Sequence, residues 1–214
     1  MAGERGTAVS PSGPASTAFA FDLDGTLTCE ELLPVIAEEL SLSREMATLT
    51  RLTLDGTIDF EDSFRLRCAI LRAVPISRVR DIVAEVALTE ALADFISAHA
   101  EDCYVVTGNL DVWIRPILDR LGCRAFTSVG RAEGDQLLGV DTVLRKSTAV
   151  AELNTRYDRV VAVGDSVNDI SMFELADIGI AYGGVHDPAD DLIEVADYAT
   201  YREEALCRLL NTLS

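Results

Sequence analysis

The sequence is poor in basic residues: 18 lysines and arginines stand against 36 aspartates and glutamates, a formal net charge of −18. Nucleic acid and anionic membrane surfaces both call for a basic face, so neither is an expected partner. Histidine is scarce, with only His99 and His186. The five cysteines (Cys29, Cys68, Cys103, Cys123 and Cys207) are odd in number and form no CxxC pair. This argues against a zinc site and reads as reduced thiols, mostly among apolar neighbours, in a cytoplasmic protein. Apolar runs stay short, and none approaches the roughly 20 residues that a membrane helix needs. Residues Met1–Thr17, rich in Gly, Ser, Pro and Ala, lack the apolar stretch of a secretory signal and read as a disordered leader. No internal repeat is present.

What remains is an ordinary globular composition, 49% apolar and 25% charged, over 214 residues. That length can bury a full core, and one domain with an insertion fits it better than two equal domains. Two acidic segments stand out: Phe21-Asp22-Leu23-Asp24-Gly25-Thr26 and Gly164-Asp165-Ser166-Val167-Asn168-Asp169. Each follows an apolar run that reads as a buried strand, Ala18–Phe21 and Val160–Val163. Between Cys29 and Ala87 the periodicity is helical. Leu32, Leu33, Ile36, Ala37 and Leu40 trace one apolar face, and Phe60, Phe64, Cys68 and Leu71 another after Asp59, a good N-cap. Ser77 is expected to cap a third helix with Val79, Ile82, Val83 and Val86 inside.

From Leu88 helices and strands alternate. A helix with Leu92, Phe95 and Ile96 leads to a strand at Cys103–Thr107, and Thr107-Gly108-Asn109 is expected to open the next helix. That helix carries Val112, Leu118 and Leu121, and Pro116 should kink it or shift its start. Phe126–Val129 reads as a strand, Gly130–Val140 as a hairpin, and a helix starts near Ser147. After Val160–Val163 come a helix with Met172, Phe173 and Ala176 and strands at Ile178–Ala181 and Tyr198–Ala199. Such alternation predicts an α/β fold: a Rossmann-like parallel sheet with helices on both faces and a helical insertion after the first strand. The division is 18–28 and 87–214 for the core and 29–86 for the insertion. Ligands of such sheets bind at the carboxyl ends of the strands, where the acidic motifs fall.

Carboxylates gathered there repel one another unless a divalent cation joins them, and magnesium takes hard oxygen ligands. A carboxylate nucleophile suits phosphoryl transfer because an acyl-phosphate divides one hard step into two. A second carboxylate two residues on can protonate the leaving oxygen and then deprotonate water. Thr107, Gly108 and Asn109 at a helix start would form a phosphate seat. Lys146 at another helix start opposes the helix dipole and calls for an anion. Taken singly, these signals also fit a solvated turn or calcium loop, a helix cap, a surface lysine and a capped loop into the helix at Ile170.

Together, Asp22-Leu23-Asp24-Gly25-Thr26, Thr107, Lys146 and Gly164–Asp169 resemble the haloacid dehalogenase superfamily, in its phosphatase branch. The stretches 55–67 and 161–173 are similar to phosphoserine phosphatases. The resemblance implies Asp22 as nucleophile, Asp24 as acid and base, and Thr26 as orienter of their loop. Thr107 and Lys146 would bind phosphate. It also implies Mg²⁺ on Asp22, the Asp24 backbone carbonyl and Asp165, with Asp169 in support. Glu31 would meet a substrate ammonium and Arg67 its carboxylate, a pair suited to a zwitterion; both also fit solvated helix charges. Phe60, Gly108, Asn109 and Asn168 complete the expected substrate contacts. Four positions depart from the family: Thr107 for serine, Asn109 and Ser166 for glycine, and Leu54 for a methionine. The expectation is a Mg²⁺-dependent phosphatase of a small phosphorylated metabolite such as O-phosphoserine, as monomer or homodimer. Transfer to another alcohol, or a non-catalytic phosphate- or metal-binding module, are the alternatives.

Overall fold

A computed structural model describes residues 16–54 and 57–214, without the Leu54 side chain. Most of the expected leader, Asp55-Gly56 and the expected contact at Leu54 lie outside the described residues. In chain order the elements are β1 (Thr17–Phe21), α1 (Leu32–Glu39), α2 (Ser43–Leu54), α3 (Phe60–Leu71), α4 (Ile76–Ala84) and α5 (Glu90–Ala98). Then follow β2 (Cys103–Leu110), α6 (Asp111–Leu121), β3 (Arg124–Glu133), β4 (Gln136–Thr142), α7 (Lys146–Leu153) and β5 (Arg159–Gly164). A 3-10 turn, Val167–Asp169, precedes α8 (Ile170–Phe173), β6 (Ile178–Tyr182), α9 (Asp190–Val195), β7 (Tyr198–Thr200) and α10 (Glu203–Leu213).

The strands form one seven-stranded sheet in the order β4-β3-β2-β1-β5-β6-β7, parallel except for the β3–β4 hairpin. Alternation along β1 explains its central place. Phe19 and Phe21 join one buried cluster, with Val105, Val161 and Val163. Ala18 and Ala20 join the other, with Tyr104, Val160 and Ala162. Both faces are therefore covered, by α5, α6 and α10 on the first and by α7, α8 and α9 on the second. Full burial of side chains such as Phe19 and Phe21 contributes about 1.5–3 kcal/mol each. Strand order reverses direction at β1, which opens a crevice at the carboxyl ends of β1 and β5. No helix of the described residues is long and apolar enough to cross a membrane.

The expected leader ends too late. Thr17 already pairs with Arg159, and the Ser16 amide and hydroxyl bind Asp158 Oδ2 at 2.9 and 3.0 Å, because β1 needs its first residue for the ladder. Helices α1 to α4 lie between two crossing points of the chain. Thr28 bridges Leu88, the Cys29 amide donates to Ala87 O at 3.0 Å, and the Thr89 amide donates to Leu27 O at 2.9 Å. Asp59 caps α3 through the Asp62 amide at 2.8 Å, as its sequence predicts. Ser77 does not cap α4, which starts one residue earlier. Asp135, from the turn of the β3–β4 hairpin, accepts from the Ser77 amide at 2.7 Å and its hydroxyl at 2.6 Å. Pro116 neither ends α6 nor moves its start. The Val112 carbonyl, which Pro116 cannot reach with an N–H, accepts instead from Arg80 Nε at 2.6 Å. The inner face of α6 is Trp113, Ile114, Ile117 and Leu121, whereas Val112 and Leu118 are only partly buried at its rim.

Candidate active site

The Asp22 amide donates to Val163 O at 2.9 Å, so β1 stays in its ladder up to the residue that carries the first carboxylate. The chain then reverses sharply: the amides of Leu27 and Thr28 both donate to Leu23 O at 2.9 Å. Gly25 takes φ +71° in this turn, and a β-carbon on it would stand 2.6 Å from His186 Nε2. The turn delivers Asp22 and Asp24 to one crevice. Thr26 donates to Asp165 Oδ1 at 3.0 Å and so ties the β1 loop to the end of β5. Its own carbonyl accepts from the Thr89 hydroxyl at 2.9 Å.

Asp169 holds the second acidic segment together. Its Oδ2 accepts from the amides of Asp165 and Ser166 at 3.1 and 3.0 Å, and Oδ1 accepts from Lys146 Nζ at 2.6 Å. The capped-loop reading thus holds for this residue, and the same carboxylate reaches Lys146. Lys146 also donates to Asp22 Oδ1. It begins α7 as expected, and the anions that compensate its position are these two carboxylates. Burial opposes its charge, but Asp169 and Asp22 outweigh burial and hold the ammonium above its ordinary range. An ammonium has three donors, so after two bonds one remains for a ligand.

The carboxylates are pushed the other way. Burial first, then Asp169, raises Asp22 well above the usual carboxylate range. Burial also raises Asp24, against the bonds it accepts from the Leu32 amide and Asn109. Asp165 is raised to about 6, by burial and then by Asp169. Asp22, Asp165 and Asp169 each present an oxygen within 4.8 Å of the others, all buried. Asp165 Oδ2 accepts no hydrogen bond although it is buried. Hard oxygens, excess negative charge and an orphaned carboxylate oxygen fit a divalent cation such as magnesium.

β2 differs from its expected form. It runs to Leu110, and α6 starts at Asp111, so Thr107-Gly108-Asn109 is strand and opens no helix. Gly108 and Asn109 fall in a bulge, between the pairs Thr107↔Thr127 and Leu110↔Ser128. The helix amides expected to seat phosphate are therefore absent at Gly108. Asn109, buried, turns its carboxamide to Asp24 Oδ2 at 2.5 Å. A β-carbon on Gly108 would lie 3.4 Å from the Phe60 ring, so these two expected contacts do meet. Asn168 sits exposed in the 3-10 turn.

Glu31 ends the loop before α1, with Oε1 4.0 Å from His186 Nε2. Burial, then Asp24 and Asp165, raises its carboxyl, a rise weakened by the solvent that reaches 53% of the side chain. Arg67 lies on α3 and donates from Nη2 to Thr50 Oγ1 at 3.0 Å. It lines a cavity of about 540 Å³ between α1, α2 and α3, with Pro34, Met46 and Thr50. Sequence reasoning missed His186, whose Nε2 is 2.9 Å from Asp165 Oδ2 but off the line of a hydrogen bond. Its signal was available: the segment 183–189 follows β6 at the same edge of the parallel sheet.

The arrangement has known counterparts. The profile described as haloacid dehalogenase-like hydrolase matches residues 19–174, and a second of that description matches residues 144–205. The phosphoserine phosphatase of Methanocaldococcus jannaschii is 30% identical over 197 residues, covering 83% of this chain and 92% of its own. A substrate-bound phosphoserine phosphatase complex is 25% identical with a TM-score of 0.76, covering 94% of this chain and 99% of that one. A phospho-aspartyl intermediate analogue of phosphoserine phosphatase is 26% identical with a TM-score of 0.74, covering 92% and 98%. On sequence and fold alike, the chain is phosphoserine phosphatase-like and belongs to the haloacid dehalogenase-like hydrolases.

Proposed function

We propose that this protein is a magnesium-dependent phosphatase of a small phosphomonoester, with O-phosphoserine as leading substrate and Asp22 as nucleophile. The observation that carries the reading is the meeting of Asp22, Lys146, Asp165 and Asp169 in one buried cluster, with Asp24 at its mouth. An Asp22 oxygen attacks phosphorus, and the bond from phosphorus to the leaving oxygen breaks. Asp24 gives that oxygen a proton. Water then attacks the phosphoaspartate, Asp24 takes back a proton, and inorganic phosphate leaves with Asp22 restored.

Lys146 opposes the rise that burial and Asp169 impose on Asp22, and offers its third donor to the phosphoryl oxygens. Thr107 supplies a hydroxyl to the same group. Asp22, the Asp24 backbone carbonyl and Asp165 would hold magnesium, with Asp169 positioning the loop behind them. The ion would neutralise phosphoryl charge and lessen repulsion of the attacking carboxylate. Residues 29–86 act as a cover that selects substrate, through Glu31, Phe60 and Arg67, over a core of 17–28 and 87–214. Asn168, exposed beside the metal segment, faces the same substrate. The thiol usage favours the cytoplasm.

The test is phosphate release from a panel of phosphomonoesters with Mg²⁺ and with chelator. Release that needs the metal and includes O-phosphoserine among the better substrates supports the reading. No release from any member contradicts it.

A further inference from the structure

Two residues of β2, Gly108 and Asn109, drop out of the ladder with β3. Bulges of this kind re-aim side chains and recur beside active sites. This one points the Asn109 carboxamide, 5% exposed, at the loop after β1. Nδ2 donates to Asp24 Oδ2 at 2.5 Å and to Thr107 Oγ1 at 3.0 Å. An ionised carboxylate only accepts, so in that form the nitrogen is the atom that faces Asp24. The Asn109 amide donates to Thr107 Oγ1 as well, at 3.1 Å.

Two consequences follow from counting donors and acceptors. Thr107 has both acceptor positions filled, so its hydroxyl hydrogen can only be donated outward. Asp24 is gripped at two points, Oδ1 by the Leu32 amide at 2.7 Å and Oδ2 by Asn109. A carboxyl has about four lone-pair sites, so two donors still leave room for the proton it must carry. The plane of the group is thereby fixed between α1 and β2.

We propose that Asn109 is a positioning residue for proton transfer, holding the Asp24 carboxyl in the orientation from which it protonates the leaving oxygen. The inference rests on the phosphatase reading and deepens it. In the step concerned, the electron pair of the broken bond stays on the leaving oxygen, which takes the Asp24 proton; Asn109 exchanges none. An alkoxide leaves poorly without that proton, whereas p-nitrophenolate leaves as the anion. The effect of Asn109 therefore depends on the leaving group, which a purely structural role would not produce.

The experiment compares kcat and KM for O-phosphoserine and p-nitrophenyl phosphate in the wild type and in Asn109→Ala. General acid catalysis sets the scale: kcat/KM should fall about 10-fold or more for O-phosphoserine and less than about 3-fold for p-nitrophenyl phosphate. Asn109→Gly should show the same split, and serves alone if the alanine variant does not fold. In an Asp24→Asn background, Asn109→Ala should add nothing to the split, because it acts through Asp24. Equal losses on both substrates, no loss on either, or a further split without Asp24 would overturn the proposal. Hydrolysis of neither substrate by the wild type sinks the phosphatase reading itself, and the role of Asn109 with it.

Discussion

At the ends of β1 and β5, Asp22, Asp165, Asp169 and Lys146 are each no more than 9% exposed, whereas on the helical insertion Phe60 is 42% exposed. The first group is held by bonds between separate elements, since Lys146 of α7 reaches both Asp22 after β1 and Asp169 after β5. Asp169 alone accepts from Lys146 and from the amides of Asp165 and Ser166. On the helical segment, Glu31 is half in solvent and Arg67 borders a cavity of about 540 Å³. On the proposed function, the difference separates two tasks. Groups that carry out bond making need fixed geometry and a dry setting, while groups that select a substrate can be left adaptable.

Substitutions on the two sides should therefore fail differently. Asp22→Asn removes the proposed nucleophile with little change of shape, and kcat should fall by more than about 10⁴-fold; turnover above that level would assign attack to another group. Asp24→Asn should cost about 10²–10⁴-fold in kcat/KM on alkyl phosphates and far less on aryl ones. On the insertion, Arg67→Ala should remove the proposed charged hydrogen bond to substrate, about 1.5–3 kcal/mol, or roughly 10- to 150-fold in kcat/KM. That loss should vanish for phosphomonoesters without a carboxylate. A uniform loss would erase the distinction between the two regions.

The smallest effect concerns metal and pH. Asp165 is raised to about 6 without metal, and Asp22 and Asp24 are raised with it. Between an ordinary carboxylate value near 4 and the raised one, the folded state binds more protons than the unfolded state. The stability contributed by Asp165 is then present at low pH and lost as pH rises through about 6, and Asp22 and Asp24 act in the same direction. Mg²⁺ binds the ionised forms, so the rise in Tm it produces should be larger at pH 7 than at pH 5. Melts with Mg²⁺ and with chelator at the two pH values check this. An equal rise at both would separate the ion from these carboxylates.

Sequence legibility followed the same boundary. β1 and β5 were readable because short apolar runs ended in Asp22 and Asp165, and a parallel sheet puts such ends together. Lys146 was readable because its place at a helix start demanded an anion. The β2 bulge was not: Thr107-Gly108-Asn109 has the composition of a helix cap, and only the register with β3 decides otherwise. Asp135, 58 residues from Ser77, caps α4 through tertiary contact that no local pattern contains. His186 lay in a segment without periodicity, placed at the site by the sheet edge alone.

Rapid quench of the wild-type enzyme with a phosphomonoester, followed by mass analysis of the peptide that carries Asp22, tests the central claim most directly. The account predicts a transient phosphoryl group on Asp22 that forms before phosphate is released and is absent in Asp22→Asn. Phosphate release with no phosphorylated peptide at any time, or with the label on another residue, would contradict it.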